Sequence, residues 1–453
     1  MVAQSAGQLT FDFLPQAAVV VQRHPGQITS DAGLLPVRQF DQRWRYTERL
    51  AACLSDKRSD PTHDALQMLR QRLYGILADY EDCNDHDTLR DDPLFKLIAG
   101  RLPEDDPLAS QPTLSRFENA VPIPALYALM DFLIQTGIER LKQKHGGKLP
   151  DSITLDLDAT DDPCHGGQQL VLFHGYYGQH QYLPLVISEP TTKHVFLAWL
   201  RPGAVHAALG ADDDLMRIVN ALRKERPDIA IHVRGDAAFG VPWMYKVCEE
   251  NRLSYTFGFA SNARLKAMTQ DLLSRAVLQY EQTGQKQRLF AHFDYRAETW
   301  EHDRMVVAKA ECHAAGTNLR FVVTSLTVGS DAQAQERYDD YVLRGESEQR
   351  MDELKNGLHA DRLSCSRFMA NFFRLLLHTS AYNLMNALRD DEQIPAELRT
   401  AQPQTWRTRL IKVAATITQS TRRVVVSLAA QWPYWDNYRA VSRRALDLAL
   451  PAP

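Results

Sequence analysis

The apolar residues of this 453-residue chain change their period near residue 150, and that change limits the fold more than any single motif. Before residue 150 they recur at helical spacing: Leu66, Leu69, Leu73, Ile76, Leu77 and Tyr80 in one segment, Leu126, Leu129, Leu133 and Leu141 in another. "KQKHGGKLP" (142–150), with its glycine pair, lysines and proline, suits a linker. Beyond it the period is two, and "SITLDLDAT", "QLVLFHG" and "YLPLVIS" predict three successive strands. "VFLAWL" is a fourth apolar run, "DDDLMRIVNALRKE" predicts a helix, and "IAIHVRGDAAFG" returns as a strand ending in a loop. This order predicts an α/β fold with a mixed sheet flanked by helices.

The boundaries follow from the same patterning: a helical N-terminal region over 1–149, a first part of the sheet over 150–252, and a β-rich insertion over 253–319. A second part with helices follows over 320–390, then a basic helical C-terminal region over 391–453. The insertion rests on "SYTFGFA", "RLFAHFDY", "RMVVAKAE" and "LRFVVTSL". A chain that is 44% hydrophobic can bury a substantial core. No stretch approaches the roughly 20 apolar residues of a membrane span, and the N-terminus lacks a signal peptide's basic start and apolar middle, so a cytoplasmic protein without a membrane partner is expected. Six cysteines without a CxxC pair predict reduced, mostly buried thiols.

A net charge of −4 speaks against an acidic partner, yet the charge is uneven. From Arg399 to Arg444 nine bases face one acid, Asp436, enough to neutralise several phosphates. Arg422 and Arg423 within it are expected on a helical surface, against DNA or a partner subunit. Arg116 in "SQPTLSRFEN" is a further phosphate-contact candidate.

Carboxylates are the candidates for chemistry, although Asp236 reads equally as an exposed turn aspartate and Asp158 or Asp161 as a helix cap. Asp156 and Asp158 point to one face of an apolar strand, which is costly unless both are paired, and a bound cation would supply the pairing. Asp236 stands where "IHVRGDAAFG" leaves its strand, the end at which ligand sites of α/β sheets gather. In "YVLRGESEQRMDELK" (341–355), a continuous helix would place Tyr341, Arg344, Glu348 and Lys355 in a strip about 60° wide, with Asp352 close to it. An ordinary ion-paired helix face reads the same way, so spacing alone leaves Glu348 and Asp352 open. Cys164, His165, His174 and His180 fit no standard zinc spacing, and "FHGYYGQHQYLPL" reads as a hairpin. Trp300 is either a packed core residue or a platform for an unpaired base.

The spacing of Tyr341, Arg344, Glu348 and Lys355 resembles the tyrosine-arginine-glutamate-lysine signature of one large group of DDE transposases. "DLDATDDPCHGGQQLVLFHGYYGQHQYLPL", "RGDAAFG" with "YTFGFASNARL", and "ANFFRLLLHTSAYNLMNALR" are similar to blocks of the insertion-sequence family numbered thirteen-eighty. "THDALQMLRQRLYGILADYED" and "SQPTLSRFEN" resemble its N-terminal region, so the likeness spans nearly the whole chain. It implies an RNase H-like core interrupted by the insertion, with Asp158, Asp236 and Glu348 as catalytic acids and ligands of two Mg²⁺ or Mn²⁺ ions. Asp158 is chosen over Asp156 because the family's first acid precedes a residue and a threonine, here Ala159 and Thr160. The implied activity is cleavage at insertion-sequence ends and strand transfer into target DNA, by a homodimer on double-stranded DNA associated with the nucleoid. DNA contacts are expected from Tyr341, Arg344, Lys355, Trp300, Arg422 and Arg423, and from the N-terminal region. The rival expectations are a metal-dependent DNA nuclease without strand transfer and a non-catalytic DNA-binding protein.

Overall fold

The computed structural model describes residues 9–447, apart from residues 12, 15, 55 and 57. Eight strands form the main sheet: β1 (Ser152–Ala159), β2 (Leu185–Glu189), β3 (His194–Trp199), β4 (Ala230–Gly235), β5 (Ser254–Phe259), β6 (Gln287–Tyr295), β7 (Arg304–His313) and β8 (Gly316–Thr324). Their order is β6-β7-β8-β5-β4-β1-β2-β3. β1, β4 and β5 run parallel, and the remaining neighbours pair antiparallel. The mixed sheet flanked by helices matches the expectation.

Helix Phe368–Arg389 lies at the centre, buried along its length except at Met369. A helix buried on all sides must satisfy its polar side chains internally. Asn383 does so at the sheet's end: its amide accepts from Val195 N and donates to Val195 O, both at 2.9 Å, which closes part of the β3 edge. Helices Ala65–Leu77 and Ile123–Lys144, both expected from periodicity, pack against this central helix. Among the described residues no single helix is long and apolar enough to cross a membrane.

The insertion is not a separate β unit. β5 belongs with the parallel strands, and β8 pairs on it, so β6 to β8 lengthen the same sheet. Helices Ala263–Met268 and Gln270–Thr283 lie between β5 and β6, where the strand-rich reading had none. Leu272 and Ala276, one turn apart, are buried in the main core with Val306, Ala308 and Ala310 of β7. Val307 points to the opposite face, where Val322, Ala334 and Tyr338 meet it beneath helix Asp331–Val342.

Two further local expectations change. "QLVLFHG" is not a strand of the main sheet: Leu172–His174 pairs with Gln179–Tyr182 in a separate hairpin, and its Leu172 and Phe173 are exposed. The C-terminal region is not wholly helical. Ala415–Ser420 and Arg423–Leu428 form a hairpin that pairs with Gln27–Thr29; Ala415 and Ile417 are buried beside exposed Thr416 and Thr418, and exposure alternates likewise along Arg423–Leu428. The first eight and last six residues of the terminal regions lie outside the described residues.

Candidate active site

Asp156 and Asp158 share one face of β1 but have opposite surroundings. Asp156 is fully buried; Arg234 donates to it through Nε at 2.7 Å and Nη2 at 3.1 Å, and Arg350 through Nη2 at 2.5 Å. Arg350 also donates to Ser188 Oγ of β2 at 3.1 Å. Asp156 is thus compensated by the protein itself. It fastens helix Gly345–Asp352, which carries Arg350 and Glu348, onto β1, β2 and β4.

Asp158 lies at the strand's exit with weaker partners. Ser347 Oγ donates to Oδ2 at 2.9 Å, and the Arg344 Nη1 stands 3.6 Å from the same oxygen. Burial is the main force raising its carboxyl to about 6; Arg344 and Ser347 oppose that, while the charges of Asp236 and Glu348 add to it. Those interactions mark the three acids as neighbours. Arg344 also donates to Glu348 Oε1 at 3.3 Å, so one guanidinium spans the first and third acids.

"YVLRGESEQRMDELK" is not one continuous helix. Helix Asp331–Val342 ends, a tight turn brings Arg344 N to Tyr341 O at 3.0 Å and Ser347 N to Arg344 O at 2.7 Å, and a new helix starts at Gly345. A π-helical turn, Glu353–Gly357, follows. The breaks redirect the strip expected from ideal geometry. Lys355 donates to Asp161 O at 2.6 Å, to Asp161 Oδ1 at 3.2 Å and to Thr160 Oγ1 at 3.2 Å, securing the loop that leaves β1. Glu353 is buried and accepts from Arg389 at 2.6 Å. Asp352 is exposed and accepts from Asn356 at 2.7 Å.

Asp236 follows β4 directly and accepts from Ala238 N at 2.9 Å. Tyr341 reaches the same place: a Cβ on Gly258 of β5 would lie 2.7 Å from both the Tyr341 hydroxyl and Ala237 N. Only glycine leaves room there for the tyrosine beside Asp236.

The remaining sequence candidates lie apart from this cluster. Trp300 is 5% exposed and packs against Tyr245, Phe259 and Tyr295, with Arg304 over its ring at 5.3 Å. Both aromatic packing and cation stacking occupy it, so the core reading replaces the base platform. Arg422 and Arg423 are exposed, but at the turn of the C-terminal hairpin and not on a helix. Several of the nine bases around them are already neutralised, as Arg407 is by Asp79, Lys412 by Asp31 and Arg444 by Asp391. Arg116 is exposed and donates to Thr113 at 3.2 Å.

Sequence reasoning missed Arg234, Ser347 and Arg350. A signal existed in Arg234, a charge in the middle of an apolar strand that has to find a buried counter-ion. The donor set of Asp158, Asp236 and Glu348 is all oxygen, the chemistry of hard cations, and the excess negative charge at Asp158 is what such a cation would relieve. Their oxygens are not drawn onto one point. Among the described residues the one acid–histidine group with all donor atoms within 4.8 Å is Asp79, Glu81 and His359, where Arg407 and Arg362 already pair with the two acids.

The chain belongs to the DDE transposase family: the sequence model of the transposase DDE domain, group 1, matches residues 11–449. A search of curated proteins returns no match. Membership implies a DNA-cleaving enzyme that acts in transposition on a DNA substrate, in a family that generally uses divalent metals.

Proposed function

We propose that this transposase belongs to the insertion-sequence group with the tyrosine-arginine-glutamate-lysine signature, in family thirteen-eighty, and that Asp158, Asp236 and Glu348 are its catalytic acids. The observation that carries this reading is Arg344, whose guanidinium stands 3.6 Å from Asp158 and 3.3 Å from Glu348 while both charges act on Asp158 together with Asp236. The sheet supports it: the order β3-β2-β1-β4-β5, with β1, β4 and β5 parallel, is compatible with the RNase H-like core proposed, and the three acids stand at the exits of β1 and β4 and on the helix fastened across them.

Asp158, Asp236 and Glu348 would hold two Mg²⁺ or Mn²⁺ ions, which supply activation of an attacking oxygen and stabilisation of the leaving oxygen of a phosphodiester. Ser347 fixes one oxygen of Asp158 and leaves the other free to bind. Glu348, whose side chain is 71% exposed, completes the set by turning away from Arg344. The guanidinium so released is suited to bidentate contact with a non-bridging phosphate oxygen pair, and Tyr341 is placed to hydrogen-bond the same group. Lys355 reaches a phosphate only by leaving Asp161, and Arg422 and Arg423 are free to contact backbone farther along the duplex. Water as first nucleophile and a DNA 3′-hydroxyl as second give end cleavage followed by joining, carried out by a homodimer on DNA in the cytoplasm.

The test is an end-cleavage and plasmid-joining assay with Mg²⁺ on wild type, Asp158→Asn, Asp236→Asn and Glu348→Gln, with DNA binding measured separately. Each variant is expected to bind DNA and to cleave at about a thousandth of the wild-type rate or less, a loss of roughly 4 kcal/mol. Full activity in any one removes that residue from the site. Cleavage without joining in the wild type makes the protein a nuclease, and no cleavage at all leaves DNA binding alone.

A further inference from the structure

Between Cys164 and Ser188 the chain carries no lysine, arginine, aspartate or glutamate, although it leaves and re-enters the sheet beside the acid site. This neutral stretch folds into the hairpin Leu172–His174 with Gln179–Tyr182, turning through Gly175 to Gly178, the last of these at φ +68°. Its root is tied to the site. Asp162 pairs with Tyr182 in strand register, Cys164 N donates to His180 O at 3.0 Å, and Gln179 Nε2 donates at 2.9 Å to Asp161, which follows Asp158 by three residues. At the tip, Tyr177 stands edge-on to His174 at 5.0 Å and to Tyr176 at 5.1 Å. Tyr176 is 87% exposed, and Leu170, Leu172, Phe173 and Tyr177 are exposed with it. Burial raises the Tyr177 phenol most, and the charges of Asp161, Asp236, Tyr176 and Asp158 add to it in that order.

An exposed aromatic patch of this kind marks a contact surface. Its composition selects the partner chemistry. Tyrosine and glutamine can hydrogen-bond a phosphate, but the hairpin has no lysine or arginine to pair with its charge, whereas its exposed aromatic faces suit nucleobases, which stack on aromatics whatever their identity. Bases inside a duplex are already stacked on one another, so the patch fits a base that has lost its partner. Resting on the DNA-cleavage reading above, we propose that the Tyr176–Tyr177 turn stacks an unpaired base of the DNA strand held at the Asp158–Asp236 site.

The experiment compares binding of a blunt duplex with the same duplex bearing a short thymidine overhang, in EDTA so that no cleavage intervenes, with 2-aminopurine in the overhang reporting stacking. The wild type is expected to prefer the overhang about tenfold, what one stacked base supplies, and to quench the 2-aminopurine. The Tyr176→Ala, Tyr177→Ala double variant loses both effects while keeping its circular dichroism spectrum, and Tyr176→Trp keeps them. The proposal is overturned if the wild type shows no overhang preference or if the double variant retains it. A change of mass in sedimentation equilibrium, with overhang preference intact, also overturns it and makes the patch a contact with a second copy of the chain. Mg²⁺-dependent cleavage of the same blunt duplex reads the parent proposal independently: a wild type that cleaves but does not discriminate overhangs fails only the stacking proposal.

Discussion

Glu118 and Asp158 are both buried carboxyl groups, and the protein drives them in opposite directions. Glu118 lies where helix Gln111–Asn119 meets the central helix, and accepts from Arg72 Nε at 2.7 Å and from Arg374 Nε at 2.6 Å. Burial pushes its carboxyl up, but the two guanidinium groups outweigh burial and bring it to about 2. Asp158 has one arginine at 3.6 Å, one serine, and two acids for neighbours, and its carboxyl rises to about 6. The difference is one of compensation: the first region spends its charges on holding the helical N-terminal layer to the core, while the second keeps an unbalanced negative charge that a cation can answer. Asp156, two residues from Asp158 on the same strand face, belongs with Glu118 in this respect.

The largest expected effect that tests this contrast is Glu118→Gln. It leaves Arg72 and Arg374 buried without a counter-charge, and urea unfolding should show a loss of about 3–5 kcal/mol. Asp156→Asn should follow at about 3 kcal/mol, because Arg234 and Arg350 lose the carboxylate between them. Asp158→Asn should do the reverse. A carboxyl whose folded value is raised contributes stability below its unfolded value near 3.8, and that contribution is lost as pH rises through about 6. The metal-free variant is therefore expected to be more stable than wild type at pH 8 by about 1–3 kcal/mol, with the gap closing as the pH is brought down to 4. Glu118 carries the opposite sign: its contribution is present above about 4.5 and is lost only as pH falls through about 2. Equal pH profiles for Asp158→Asn and wild type would erase the distinction between the two regions. The smallest effect is expected from Ser347→Ala, which frees the orientation of Asp158 and should weaken Mn²⁺ binding about tenfold by calorimetry, with Ser347→Thr restoring part of it.

Part of the candidate site was legible in the sequence. Strand ends pointed to Asp156 with Asp158 and to Asp236, helical spacing left Glu348 beside Asp352, and the choice of Asp158 and Glu348 came from the family resemblance; in the structure the charges of Asp236 and Glu348 both act on Asp158. What ideal helical angles misplaced was the path of "YVLRGESEQRMDELK": the break at Leu343–Arg344 and the π-helical turn change which residues Arg344 and Lys355 can touch. Trp300 was ambiguous for a different reason. An aromatic in a loop reads alike whether its ring is packed or open, and only the arrival of Tyr245, Phe259 and Arg304 from other elements decides between them.

By itself the sequence determined the elements whose cause is local: the two long N-terminal helices, the alternating strands, and the placing of acids at strand exits, since period and turn chemistry act over a few residues. Tertiary structure alone decided how each buried charge is compensated. Asp156 and Asp158 share one face of one strand; Arg234 and Arg350 reach the first from 78 and 194 residues away, while the second, at the strand's exit, has only Ser347 and the more distant Arg344.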